Sequence, residues 1–147
     1  MILGLDHVGV MTSDPAGAAL ALEVLGLSPR ETGVAEQYAV ACEFWQYTDD
    51  PGEVAVELVS PLTPESSVAS SLKRSGPGLY HLALEVDDLA AELARMRRPG
   101  VTPLDATPCR GAREGMQVAF LYLRAPAGLL VELVQYDQPR RKPTNPR

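Results

Sequence analysis

A chain of 147 residues with 46% apolar and 22% charged residues is long enough for one folded domain with a substantial core. The formal charge of −6 argues against a nucleic-acid groove, which needs a basic surface, and no apolar run approaches the ~20 residues of a membrane helix. Two cysteines, Cys42 and Cys109, form neither a disulfide framework nor a paired metal motif, so two reduced thiols and a cytoplasmic setting are expected.

Residues 3–10, "LGLDHVGV", read as a strand, with no basic leader and long apolar segment at the N-terminus. A helix follows, with Asp14 as cap, Pro15 in its first turn and Gly26 closing it. The runs 38–47 and 54–59 form a hairpin around "TDDPGE". Residues 63–75 are a linker holding a short helix, with Thr63 as its expected cap before Pro64.

The pattern then begins again. Residues 79–86, "LYHLALEV", are a strand, and Asp87 or Asp88 caps the next helix. Residues 116–124 and 129–136 form a second hairpin around "APAG". The tail "DQPRRKPTNPR", residues 137–147, is rich in Pro and basic residues without periodicity and is expected to be mostly disordered. One domain over 1–136 is expected, with modules of about 1–62 and 76–136.

The duplication is visible in polar residues. His7 precedes Asp14 by seven positions and His81 precedes Asp88 by seven; Glu57 follows His7 by 50 and Glu132 follows His81 by 51. Repeats of this kind imply two α+β modules around an internal two-fold axis, each with a small, mostly antiparallel sheet. His7, Glu57, His81 and Glu132 all sit inside apolar strands, and the two histidines are the only ones in the chain. An interior carboxylate needs a cation, a proton or a metal. Two imidazoles and two carboxylates suit one divalent ion per chain, Co²⁺, Mn²⁺, Zn²⁺, Ni²⁺ or Fe²⁺. Four protein ligands on a six-coordinate ion leave two positions for water or substrate oxygens. Two metal-free His–Glu pairs are the competing arrangement.

The segments "LDHVGV", "GLYHLALEVDDL" and "GLLVELVQY" resemble the vicinal oxygen chelate superfamily, the glyoxalase/bleomycin-resistance/dioxygenase group. Within it, residues 56–89, 118–123 and 128–136 are most similar to the methylmalonyl-CoA epimerase family. The resemblance implies two paired βαβββ modules forming a cupped sheet, with short further strands supplied by residues 28–34 and 101–109. It also implies His7, Glu57, His81 and Glu132 as metal ligands, with Glu132 doubling as catalytic base. The implied reaction takes a proton from a carbon next to a carbonyl and returns one to the other face, on an acyl-CoA or another carbonyl or carboxylate metabolite.

A second catalytic Glu is implied as well. "GVAE" nominates Glu36, whereas a hairpin turn near Asp50 and Pro51 brings Glu43 nearest Glu57; Glu43 is preferred. The chain departs from the family at Leu20–Ala21, "GAREG" and "FLYL", and Trp45 and Tyr47 offer a more aromatic pocket lining. Another lyase, isomerase or oxygenase of the superfamily, or a metal-free small-molecule binding protein, are the alternatives. Arg110, Arg113 and Arg124 are expected on a solvated surface, and a homodimer would cover exposed sheet edges.

Overall fold

The computed structural model describes residues 1–143 of the chain. One nine-stranded sheet runs through both halves. The first half contains β1 (Ile2–Met11), α1 (Pro15–Val24), β2 (Ser28–Ala35), a 3-10 turn at Glu36–Tyr38, β3 (Val40–Gln46) and β4 (Ala55–Pro61). Helix α2 (Ser67–Ser75) links it to β5 (Gly78–Val86), α3 (Leu89–Arg95), β6 (Val101–Pro103), β7 (Cys109–Arg110), β8 (Met116–Leu123) and β9 (Leu129–Tyr136). The further strands implied for 28–34 and 101–109 are present, the first as the full-length strand β2 and the second as the short strands β6 and β7.

The strand order is β2-β3-β4-β1-β5-β9-β8-β6, with β7 paired to β8. The sheet is mixed and open. β1 lies parallel to β4 and β5 parallel to β9, while β1 and β5 join the halves antiparallel. The helix after each module's first strand carries the chain to the far edge of the sheet, and the antiparallel strands that follow step back until the last lies parallel beside the first.

Local chemistry fixes the helix ends. Asp14 accepts from the Gly17 amide and Asp88 from the Ala91 amide, so Asp88 is the cap of α3. The cap of α2 is Ser66, which accepts from the Val68 amide, and not Thr63, which lies outside the helix. Gly26 closes α1 at φ +85°.

Helices α1 and α3 cover one face of the sheet, whereas α2 packs Val68 against the opposite one. On the α1 and α3 face, Leu22 and Leu27 pack on Trp45 and Leu58, and Leu89 packs with Leu121, Val131 and Leu133. Trp45 is therefore core on the helix side, and exposed Tyr47 donates its hydroxyl to the Leu25 carbonyl; neither lines the pocket. The other face forms the cup, lined by Cys42, Phe44 and Val59 from one half and by Ala83, Met116, Val118 and Val134 from the other.

The tail departs from expectation. Arg140 forms a two-pronged ion pair with Glu31 at 2.9 and 3.0 Å, and Arg141 reaches Asp6 and Glu85. A basic, proline-rich composition has no periodicity to announce such long-range pairing. Residues 144–147, included in the expected disordered tail, lie outside the described residues.

Candidate metal centre

Two rows of side chains cross the sheet at its centre. Phe44 on β3 is opposite Glu57 on β4, Glu57 is beside Gly9 on β1, and Gly9 is opposite His81 on β5. The second row repeats the first, as Phe120, Glu132, Ala83 and His7. Directly paired residues share a face, so each histidine meets a small residue and, one strand further, a glutamate. The small residue gives the imidazole room.

The four polar side chains converge. His7 Nε2 and His81 Nε2 are 3.1 Å apart. His7 Nε2 lies 3.5 Å from Glu57 Oε1 and 3.7 Å from Glu132 Oε2. His81 Nε2 lies 3.4 and 3.0 Å from the same oxygens. One ligand atom from each residue falls within 4.8 Å of the others, and all four residues are buried. Glu57 Oε1 is buried without a hydrogen-bond partner, and an orphaned carboxylate oxygen of this kind calls for a cation. The donor set and that orphan fit a divalent metal.

Asp6 stands behind His7. It is the extra residue of a β-bulge, since Leu5 pairs with Leu84 and His7 with Ala83, and its Oδ2 lies 2.7 Å from His7 Nδ1. A carboxylate only accepts, so the Nδ1 hydrogen points to Asp6 and Nε2 faces the cluster. Tyr80 holds the matching bulge position in the other half, and its ring meets the His81 ring edge-on at 5.4 Å. His81 Nδ1 consequently has no hydrogen-bond partner among the described residues.

The charges respond to this crowding. Burial alone would lower the His7 pKa, but the charge of Glu57, the hydrogen bond to Asp6 and the nearby Glu132 carboxylate raise it well above 6.5. Burial would raise Glu132, yet the two imidazoles of His7 and His81 close to its carboxylate bring it down to about 2. Burial, then the charges of Glu57 and Glu132, push the Cys42 thiol well above its ordinary range.

A cavity of about 270 Å³ opens beside the cluster, lined by Glu57, His81 and Glu132 and by apolar side chains including Val40, Val118 and Phe120. Cys42, Tyr38 and Asp105 also line it. Tyr38 donates to Asp105 Oδ2 at 2.8 Å, which also accepts from the Phe120 amide at 2.6 Å. Among the described residues, no lysine or arginine lines this cavity.

The two nominated second bases are not brought to the cluster. Glu43 is opposite Leu58, one residue out of step with the Phe44–Glu57 pair, so it faces the helix side, where Trp45 Nε1 donates to it at 3.4 Å. Glu36 is exposed at a separate, polar cavity with Arg110 and Glu114. Arg113, expected in solvent, is buried: its guanidinium lies 3.8 Å over the Phe44 ring and donates to Asp6 and Tyr136. Sequence reasoning passed over Asp6, although the site where two otherwise matching repeats differ, Asp6 against Tyr80, was the signal available.

This architecture, two strand–helix–strand modules meeting at a His–Glu–His–Glu cluster, defines a class, and residues 6–120 match the model of the Glyoxalase/Bleomycin resistance protein/Dioxygenase superfamily. The chain belongs to that superfamily. It is 34% identical over 132 residues to the Bacillus subtilis protein YqjC, covering 89% of this chain and 91% of that one. It is 29% identical over 133 residues to the human mitochondrial methylmalonyl-CoA epimerase, covering 89% of this chain and 73% of that enzyme. Among solved structures, a variant of the Streptomyces coelicolor methylmalonyl-CoA epimerase in complex with 2-nitronate-propionyl-CoA superposes with a TM-score of 0.82 at 28% identity, over 94% of this chain and all of that one.

Proposed function

We propose that this chain is a metal-dependent isomerase that removes and returns a proton at a carbon next to a carbonyl, with methylmalonyl-CoA or a related acyl-CoA thioester as substrate. The observation that carries the proposal is the convergence of His7, Glu57, His81 and Glu132 beside an apolar cavity, in a chain similar over most of its length to methylmalonyl-CoA epimerases. A divalent ion held by these four, Co²⁺, Mn²⁺, Zn²⁺, Ni²⁺ or Fe²⁺, supplies Lewis-acid stabilisation of an enolate.

The chain's own residues divide the remaining work. Glu132 lines the cavity and stays ionised near neutrality, so it is the proposed proton carrier on one face. Cys42 faces the cup from β3, two residues from Phe44, and stays protonated, which suits it to return a proton from the other side. Val40, Val118 and Phe120 exclude water from the acyl portion and strengthen the electrostatics there.

Incubation of the metal-loaded protein with one epimer of methylmalonyl-CoA in D₂O tests the proposal. Deuterium entering the α-carbon with inversion is the expected result. Bound metal with no exchange would favour another reaction of the superfamily, a reading that gains support from a cavity lined by no lysine or arginine of the described residues to meet a second carboxylate. Absence of metal binding would favour a metal-free binding protein.

A homodimer is the proposed assembly, because β2 and β6 leave exposed sheet edges. A cytoplasmic setting suits the free thiols of Cys42 and Cys109, and no helix of the described residues is long and apolar enough to cross a membrane.

A further inference from the structure

We infer that Arg141, five residues beyond the last strand, is a positioning residue for the metal ligand His7, acting through Asp6. The inference rests on the proposed metal centre and extends it to the C-terminal segment.

The geometry divides the Asp6 carboxylate between two sets of partners. Its Oδ2 receives three donors: His7 Nδ1 at 2.7 Å, Tyr136 Oη at 3.0 Å and Arg113 NH1 at 3.2 Å. Its Oδ1 receives Arg141 NH1 at 2.5 Å, the one partner of that oxygen among the described residues. Arg141 NH2 also donates to the Asp6 carbonyl at 3.3 Å. Asp6 is fully buried, so each of its oxygens must find a donor inside the protein.

Arg141 is itself fixed from several directions. Its NH1 lies 2.9 Å from Glu85 Oε2, and its NH2 donates to the Glu53 carbonyl at 3.1 Å. The Arg140 amide donates to Glu85 Oε1 at 2.7 Å, which seats the backbone one residue earlier. The arginine stem runs past Gly4, where a Cβ would come within 3.3 Å of its Cδ at a φ of +155°. A planar, permanently charged fork serves this place as a lysine cannot, since it meets Asp6 and Glu85 together with two carbonyls.

The consequence for the metal centre follows from the hydrogen bond at His7. The Asp6 carboxylate sets which imidazole nitrogen carries the hydrogen and how the ring is turned, and loss of such a partner weakens metal affinity by about 10- to 100-fold. Without Arg141, Oδ1 loses its donor, and Asp6 must turn away from His7 to recover one. His81 has no comparable partner, so the orientation of the histidine pair depends on His7 and its support.

The test is titration of Co²⁺ into the metal-free wild-type protein and into Arg141→Met, Arg141→Lys and Arg140→Met, read by the visible absorption of the bound ion. Circular dichroism and melting temperature identify the variants that remain folded. The expected result is about 10- to 100-fold weaker Co²⁺ binding with an altered spectrum for R141M. R141K should fall between, because it restores the charge without the fork. R140M, which removes the Glu31 pair and the guanidinium over the Tyr136 ring but no donor to Asp6, should bind as wild type does. Equal affinity and spectrum for R141M and wild type would overturn the inference alone, as would equal losses in R140M and R141M. Failure of the wild-type protein to bind Co²⁺ would overturn the metal centre and the inference together. Should R141M not fold, R141K decides between the same outcomes.

Discussion

Gly9 lies directly across from His81, and a Cβ at Gly9 would come within 2.3 Å of the imidazole Cε1. The glycine gives the His81 ring its place in the four-residue cluster, because no rotation of a methyl group relieves that overlap. Gly9→Ala should displace the His81 ring, destabilise the fold by about 1–3 kcal/mol and weaken metal binding by at least about tenfold. Metal titration with a melting curve measures both effects. An alanine variant with unchanged affinity would show that His81 approaches the ion from elsewhere.

The charge pattern gives a stability profile for the metal-free protein. His7 is raised well above 6.5, so its contribution is complete below its unfolded value and is lost as pH rises through the raised value. Glu132 is lowered to about 2 from 4.5, so its contribution is present above 4.5 and is lost as pH falls towards 2. The pair therefore stabilises the metal-free protein most between about pH 4.5 and 6.5. A metal ion competes with the His7 proton, so the loaded protein should gain melting temperature on moving from pH 6 to 8 while the metal-free protein loses it.

Proton transfer should separate by residue. Glu132→Gln removes the proposed proton carrier and a ligand, and should lower α-proton exchange by about 10²- to 10⁴-fold. Glu43→Gln should leave exchange and metal content as in the wild type, since Glu43 points to the helix face beside Trp45. Cys42→Ala should retain deuterium exchange at one epimer while inversion slows, a split that NMR of the two epimers resolves.

Phe44 carries part of the site's mechanical support. It is fully buried, its ring meets the His7 ring edge-on at 5.4 Å, and the Arg113 guanidinium covers one face. Phe44→Ala should cost about 3–5 kcal/mol by chemical denaturation, as expected for an aromatic core truncation.

The four metal-ligand candidates were legible in the sequence because duplication marks them twice: both His–Glu pairs recur at nearly equal spacing inside apolar strands. The two modules were legible for the same reason, and the strands β2, β6 and β7 only through family resemblance. Glu43 shows where such reading stops. The hairpin estimate left residue 43 or 44 opposite Glu57, and a one-residue step reverses the face of every side chain on the strand. Asp6 was hidden by the bulge that turns it back towards its neighbour. Arg141 was hidden by distance, since its carboxylate partner lies 135 positions earlier and no periodic pattern links a charged tail to a buried acid.

Metal content after dialysis against excess Co²⁺ and removal of free ion, measured for the wild-type protein and for His7→Ala, Glu57→Ala, His81→Ala and Glu132→Ala, is the most direct measurement. About one ion per wild-type chain, with strong loss in every variant, is expected of a centre built from four converging side chains. A folded wild-type protein that retained no ion, or variants that all retained it, would contradict that centre and the chemistry built upon it.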